Sequence, residues 1–201
     1  MKKIICIIIC FYLTYVSFGQ SLTLSDTTII KKTSFCTVCF KIEYSSEYII
    51  SWHNDAISNV SSKPFPLING ELLTVLDTLE SYVVLYQNCG QKAKCVVLLP
   101  LYKHSPEMIF ENVIGYDTLN KVLLFISNEY DGKTINVTLF NLVTEEKEDY
   151  QLPKPCSAVN PIECIDDIKY REGLVTISYY GNENSTIHVK EIRLSNEKKD
   201  F

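Results

Sequence analysis

Apolar residues in this chain fall in short dense runs closed by polar stops. The stretch 121–142 shows the pattern best. Val122 to Ile126 has no polar member, Asp131-Gly132 marks a turn, and Ile135, Val137 and Leu139 then alternate with polar residues. Two β-rich runs about an Asp-Gly pair spell an antiparallel hairpin. Shifted by 52 positions, this stretch overlays 173–194 without a gap. Two further segments share the layout, so hairpins are expected near 48–67, 82–101, 121–142 and 173–194. The tripeptide Asp-Thr-Leu precedes two of them, at 77–79 and 117–119.

A strand apolar on both faces belongs in the middle of a covered sheet, and the runs at 82–86 and 122–126 qualify. In both 134–142 and 187–194 the apolar positions change phase partway along. A β-bulge, or a strand whose two ends pack against different neighbours, accounts for that equally well. Units near 40 residues with three or four strands each fit propeller blades; seven or more antiparallel strands also fit a β-sandwich. The fold class expected is therefore all-β, propeller-like with about four small blade-like units or a sandwich. The first unit is the weakest, because Pro64 and Pro66 interrupt its return strand. The last unit lacks a fourth strand, and the segment 22–30 is expected to supply it.

The N-terminus changes the picture of where this domain resides. Lys2 and Lys3 precede an apolar run from Ile4 to Val16, and Ser17-Phe-Gly19 offers small residues at a peptidase site. This is the layout of a secretory signal peptide, and the run is shorter than the roughly 20 residues that cross a bilayer. The expected organisation is a signal peptide over 1–19 and a single all-β domain over 20–201. Its removal takes the formal charge from −5 to −7. An acidic surface argues against nucleic acid, since phosphate binding runs on Lys and Arg. No membrane span is expected after signal removal. The chain has 13 Tyr, 9 Phe and only three alanines, Ala56, Ala93 and Ala158, which favours strand over helix.

Six cysteines lie beyond residue 19, an even count that suits disulfides outside the cytosol. Cys89 and Cys95 flank a hairpin tip and are expected to join, as are Cys156 and Cys164 across a proline-containing loop. Cys36 and Cys39 pair with each other by elimination, which requires Thr37 and Val38 to turn. A Cys-x-x-Cys redox pair needs a helix start that Phe35-Cys-Thr-Val-Cys-Phe40 does not offer, and the Cys-x5-Cys spacing is loose for zinc.

The remaining chemistry is sparse. His53, His104 and His188 sit in no metal-binding frame, and His188 is expected to face solvent. Trp52-His-Asn-Asp55 at a strand end is either a ligand loop or an anchored tryptophan. No nucleophile elbow, P-loop or dinucleotide fingerprint occurs, and seven glycines leave little for a phosphate cradle. No catalytic, cofactor-binding or metal-binding residue is named. The function expected is an exported, disulfide-stabilised, non-catalytic binding module, secreted or periplasmic, for a protein or glycan partner. The alternative is a secreted hydrolase, glycan-directed, with acidic residues converging from several units.

Overall fold

The computed structural model describes residues 28–44, 46–89, 93–102, 104–127, 133–153, 156–181 and 186–194. The signal segment 1–19 and the Asp131-Gly132 turn lie outside them. The strands in chain order are β1 (Thr28–Lys32), β2 (Thr37–Tyr44), β3 (Glu47–His53), β4 (Ser58–Val60) and β5 (Phe65–Pro66). Then follow β6 (Thr74–Thr78), β7 (Tyr82–Asn88), β8 (Lys94–Pro100), β9 (Met108–Asp117), β10 (Val122–Ile126), β11 (Thr134–Asn141) and β12 (Lys147–Pro153). After a 3-10 turn (Pro161–Cys164) come β13 (Ile165–Arg171), β14 (Leu174–Tyr180) and β15 (Ile187–Arg193). The fold is all-β, as the sequence indicates.

These strands form three antiparallel sheets, and none closes into a barrel. An N-terminal sheet runs β1-β2-β3-β4, with β5 also pairing with β3; a central sheet runs β12 through β6 without interruption; a C-terminal sheet is β13-β14-β15. The second and third hairpins are therefore not separate blades. β8 pairs directly with β9 (Val97↔Ile109, Leu98↔Met108) and fuses them into one seven-stranded meander. The architecture is sandwich-like. The first unit breaks where its prolines fall: its return strand is split into β4 and β5, both paired to β3. Pro64 stands between them, and Pro66 has no N–H to extend the ladder.

Alternation along the central sheet decides how the layers stack. Val83, Leu85, Val97 and Leu99 join the apolar cluster of the N-terminal sheet, with Trp52, Tyr48, Phe40 and Ile50. Val122, Leu124, Ile126, Ile135, Val137 and Leu139 join that of the C-terminal sheet, with Val175, Ile177 and Ile192. The in-between positions Val84, Leu98, Leu123 and Phe140 form a third cluster. Cross-strand partners share a face, so both outer sheets cover the same face of the central one. The third cluster lies on the opposite face and is made of central-sheet residues and their connections alone. Those side chains are buried by each other, so the central sheet curls around them, with the Phe110 and Phe140 rings 5.5 Å apart.

The phase change in the second strands is not a bulge. β11 keeps register with β12 from Thr134↔Pro153 to Phe140↔Lys147, and with β10 from Val122↔Asn141 to Ile126↔Val137. Ile135, Val137 and Leu139 face one cluster; Phe140 and Leu142 face the other. The two ends of the strand simply meet different neighbours. Residues 28–30 also correct an expectation. Thr28, Ile29 and Ile30 pair with Lys41, Phe40 and Cys39 of β2, in the N-terminal sheet, and not with β15. β15 pairs with β14 and is left at an edge.

Candidate functional site

Two of the expected sulfur bridges are present. Cys89–Cys95 has Cα atoms 5.7 Å apart and Cys156–Cys164 5.5 Å apart. Cys36 and Cys39 are not joined. The reason is parity. Cys36 is buried with Val38 and Phe40, while Cys39 lies on the alternate face of β2. Residues three apart on extended backbone point to opposite faces, and Thr37 and Val38 stay in the ladder, paired with His53 and Trp52. Burial pushes the Cys36 thiol pKa up, against a weaker opposing bond from Thr33. A buried, protonated thiol is poorly suited to redox chemistry.

The Trp52-His-Asn-Asp55 cluster holds two sheets together. Trp52 is fully buried and its indole Nε1 donates to Pro100 O at 2.8 Å. Asn54 donates to Leu101 O at 3.2 Å, and its side-chain oxygen accepts from the amides of Ala56 and Ile57 at 2.9 Å each. Every polar atom named is used for anchoring. His104 Nδ1 lies 3.2 Å from Asn59 Oδ1. His188 does not face solvent as expected. It lies on the inner side of β15 with Ile192, its ring 5.4 Å from that of Tyr179. It packs so close over Gly181 that a Cβ there would lie 2.5 Å from Nε2.

The interior acids also have structural partners. Asp77, at the end of β6, accepts from Lys121 Nζ at 2.8 Å, Tyr116 Oη at 2.6 Å and the Thr78 amide at 2.8 Å. Burial raises its pKa, but the bonds from Lys121, Tyr116 and Thr78 and the lysine charge outweigh that and hold the carboxyl below its usual range. Burial and the Asp77 bond push the Tyr116 hydroxyl well up in turn. This latch ties the first strand of the central sheet to the β9–β10 turn. A second latch joins Tyr82 and Tyr102 to Glu145, across the same curl. Asp117 is buried and accepts from the Leu119 amide at 2.8 Å and from Asn120 Nδ2. Glu107 accepts from the Ser62 amide and hydroxyl, the latter at 2.7 Å. The repeated Asp-Thr-Leu tripeptide is thus a turn device: each aspartate accepts an amide just downstream of itself, and each precedes the next strand.

Several openings remain among the described residues. A polar crevice of about 410 Å³ lies where β13 crosses the ends of β7, β8 and β9, lined by Asn88, Lys94, Gly115, Asp166, Asp167 and Tyr170 among others. Asp166 and Asp167 are exposed, at a register shift between Ile165 and Asp167. Asp166 accepts from Tyr180 Oη at 2.6 Å, and Asp167 lies 3.6 Å from Lys169. Tyr170 Oη is buried with no hydrogen-bond partner among the described residues, and burial, then the nearby Asp117 charge, raises its pKa strongly.

An apolar cavity of about 450 Å³ lies between the N-terminal and central sheets. Its walls include Pro64, Phe65, Pro66, Leu73, Val97, Ile109 and the Cys89–Cys95 bridge, with Lys63 and Glu111 beside them. A third opening of about 440 Å³ shares Lys63, Ile109 and Glu111 with it and extends to Phe110, Phe125, Ser127 and Lys147. None of these lining residues is named for function by the sequence; the disulfide cysteines and the strand-breaking Pro64 and Pro66 stand out there as structural. The available signal is the run Met108-Ile109-Phe110, three consecutive apolar residues that must present an apolar side chain on each face of the strand. Among the described residues no cluster of three or more His, Cys, Asp or Glu is placed to hold a metal ion, and no helix is long and apolar enough to cross a membrane. No known protein family, no curated protein and no solved structure matches this chain.

Proposed function

We propose that this protein is an exported, disulfide-stabilised β module that binds a protein or glycan partner and performs no catalysis. The carrying observation is a contrast in how polar and apolar groups are used. Asp77, Asp117 and Glu107 are all engaged by structural partners. The open cavity between the N-terminal and central sheets is instead mainly apolar, with one cation and one carboxylate beside it. Such a lining is what ligand pockets share: apolar walls for affinity and a few polar groups for orientation. Glycoside hydrolysis commonly uses two carboxylates set about the scissile bond; Asp166 and Asp167 are neighbours on one strand, both exposed and each engaged by a side chain of its own sheet.

Export is supported by the signal-like 1–19 segment and by two disulfides, which persist in oxidising compartments. The gapless 52-residue offset supports descent of the two hairpins from one ribbon. Expression of the full chain in an export-competent host tests this reading. The intact mass of the exported protein should correspond to a chain starting at Gln20 with two disulfides and two thiols. Affinity capture on the folded protein from the native extracellular fraction should then enrich one protein or glycan class. Retention of residues 1–19 would refute export. Turnover of a glycan panel by the purified protein would refute the non-catalytic reading.

A further inference from the structure

Among the described residues the central sheet splits between β9 and β10, and the split presents an unpaired strand edge. β9 pairs with β8 from Met108 (↔Leu98) to Val113 (↔Lys94). With β10 it pairs only from Val113 (↔Phe125) to Asp117 (↔Val122). Asn112, with φ of 53°, sits at the register shift of the β8 ladder, one residue before the β10 ladder begins, and its left-handed backbone turns the strand there. The first half of β9 therefore leaves β10. β10 stays with β11 instead: Ser127, just past the end of β10, donates to Asn136 O of β11. The 440 Å³ opening fills the resulting fork, with Ile109, Phe110 and Glu111 on one side and Phe125, Ile126 and Ser127 on the other.

Backbone groups on a strand point alternately to its two sides. Two of the four residues 108–111 therefore direct their N–H and C=O into the fork. No turn or loop backbone among the described residues bonds to them. Unsatisfied strand edges of this kind recruit extended chain. The fork also offers different surroundings on its two faces. Ile109 and Glu111 share the face that opens into the disulfide-walled apolar cavity. Phe110 lies on the other, in the aromatic cluster, where Lys147 Nζ sits 6.0 Å from the Phe110 ring centre and 5.6 Å from that of Phe140. Among the described residues neither Lys147 nor Lys63 has a carboxylate partner.

We infer that the fork is a strand-addition site for an extended polypeptide in which apolar side chains alternate with acidic ones. The added strand lies beside the first half of β9. Its apolar side chains enter the cavity between the N-terminal and central sheets, and the alternate acidic ones reach Lys147 over the aromatic rings. Period-two alternation in the ligand is dictated by the pleat, and the sign of its charge on the aromatic face by Lys147. This deepens the binding-module reading and rests on it: of the partner classes named there, it selects a protein.

An acetylated, amidated hexapeptide alternating valine and glutamate is the probe, titrated into the 15N-labelled protein. The expected result is amide shifts and exchange protection at two alternate residues among Met108, Ile109, Phe110 and Glu111. Methylating one inward-facing peptide nitrogen should weaken binding about tenfold, the worth of one backbone hydrogen bond. Lys147→Ala should weaken it about fivefold. Lys147→Glu should shift preference toward the lysine-for-glutamate peptide. Lys147 is on an edge strand, so these variants keep the fold. Peptide shifts confined to the Asp166–Asp167 crevice, or an absence of shifts at any site, overturn strand addition. Titration with a mixture of oligosaccharides under the same conditions separates the two readings. Saccharide binding in the fork overturns the polypeptide assignment and leaves a binding module standing.

Discussion

The hairpins 121–142 and 173–194 are built to one plan and live in different surroundings. Their registers coincide: Val122↔Asn141 and Leu123↔Phe140 in the first, Leu174↔Arg193 and Val175↔Ile192 in the second, each displaced by 52. Even the entry is shared. Lys121 has φ of 54° and Gly173 of 68°, and each carbonyl accepts from the residue after the return strand, Leu142 and Leu194, at 2.9 Å. Burial differs sharply. Ile135 and Val137 are 0% exposed, whereas their counterparts Ile187 and Val189 are 53% and 60% exposed. Register is set by the ribbon's own turn and pairing; burial is set by what is packed on it. The central sheet covers both faces of the first hairpin, one by the C-terminal sheet and one by its own curl. The second hairpin turns one face to the core and the other to water. β14 carries the matching sequence change, with Thr176 and Ser178 at the positions of Leu124 and Ile126. β15 does not, and keeps Ile187 and Val189 exposed.

The matched pair Ile135→Ala and Ile187→Ala should separate most widely. Loss of a buried isoleucine costs about 2–5 kcal/mol, and the exposed site should stay within about 0.5 kcal/mol of wild type. Urea unfolding of the two variants measures both; equal costs would break the contrast. The contact between the two sheets offers the next effect. Tyr170 Oη of β13 would lie 1.8 Å from a Cβ at Gly115 of β9. Gly115→Ala should therefore cost about 1–3 kcal/mol, and Tyr170→Phe should recover part of that in the double variant. Tyr170→Phe alone should be neutral or slightly stabilising, because the hydroxyl it removes is buried without a partner.

Lys121 marks a difference between the hairpins that pH can read. It carries the Asp77 latch, and Gly173 at the equivalent position has no side chain to carry one. Asp77→Asn should cost about 1–2 kcal/mol at neutral pH. The native carboxyl titrates below its unfolded value of about 3.9, so the charged form favours folding. That stability is complete above the unfolded value and is lost as pH falls through the lower native one. The gap between wild type and Asp77→Asn should therefore close in acid, and a gap that widens there would remove the latch from the account. Smallest is Gly173→Ala, at about 1 kcal/mol for placing a Cβ on left-handed backbone. Lys121 already bears that strain.

The strands were legible because periodicity and turn residues are local. The hairpins, the interrupted first return strand and two disulfides all follow from neighbours within about 20 positions. Sheet membership was not legible. Whether β8 continues into β9 or ends a blade depends on one ladder, Leu98↔Met108 to Lys94↔Val113, and nothing in the run of either strand distinguishes the two. Cys36 and Cys39 were misassigned because counting sulfurs ignored strand parity. His188 escapes the pattern because apolar Ile187 and Val189 point to the inward face by hydropathy, whereas the inner face is the one that holds Ile192. The candidate site was hardest to see. The fork depends on a kink at Asn112, and the groups around it come from β5, β9, β10 and β12, spread from Lys63 to Lys147.

Amide hydrogen exchange resolved residue by residue tests the central contrast most directly. β11 is paired on both sides, to β10 and β12, and β15 on one side only. Slow exchange should therefore run through consecutive amides of β11, while every second amide of β15 exchanges orders of magnitude faster than its neighbours. Unbroken protection along β15, or alternating protection along β11, would contradict the sheet order on which the whole account stands.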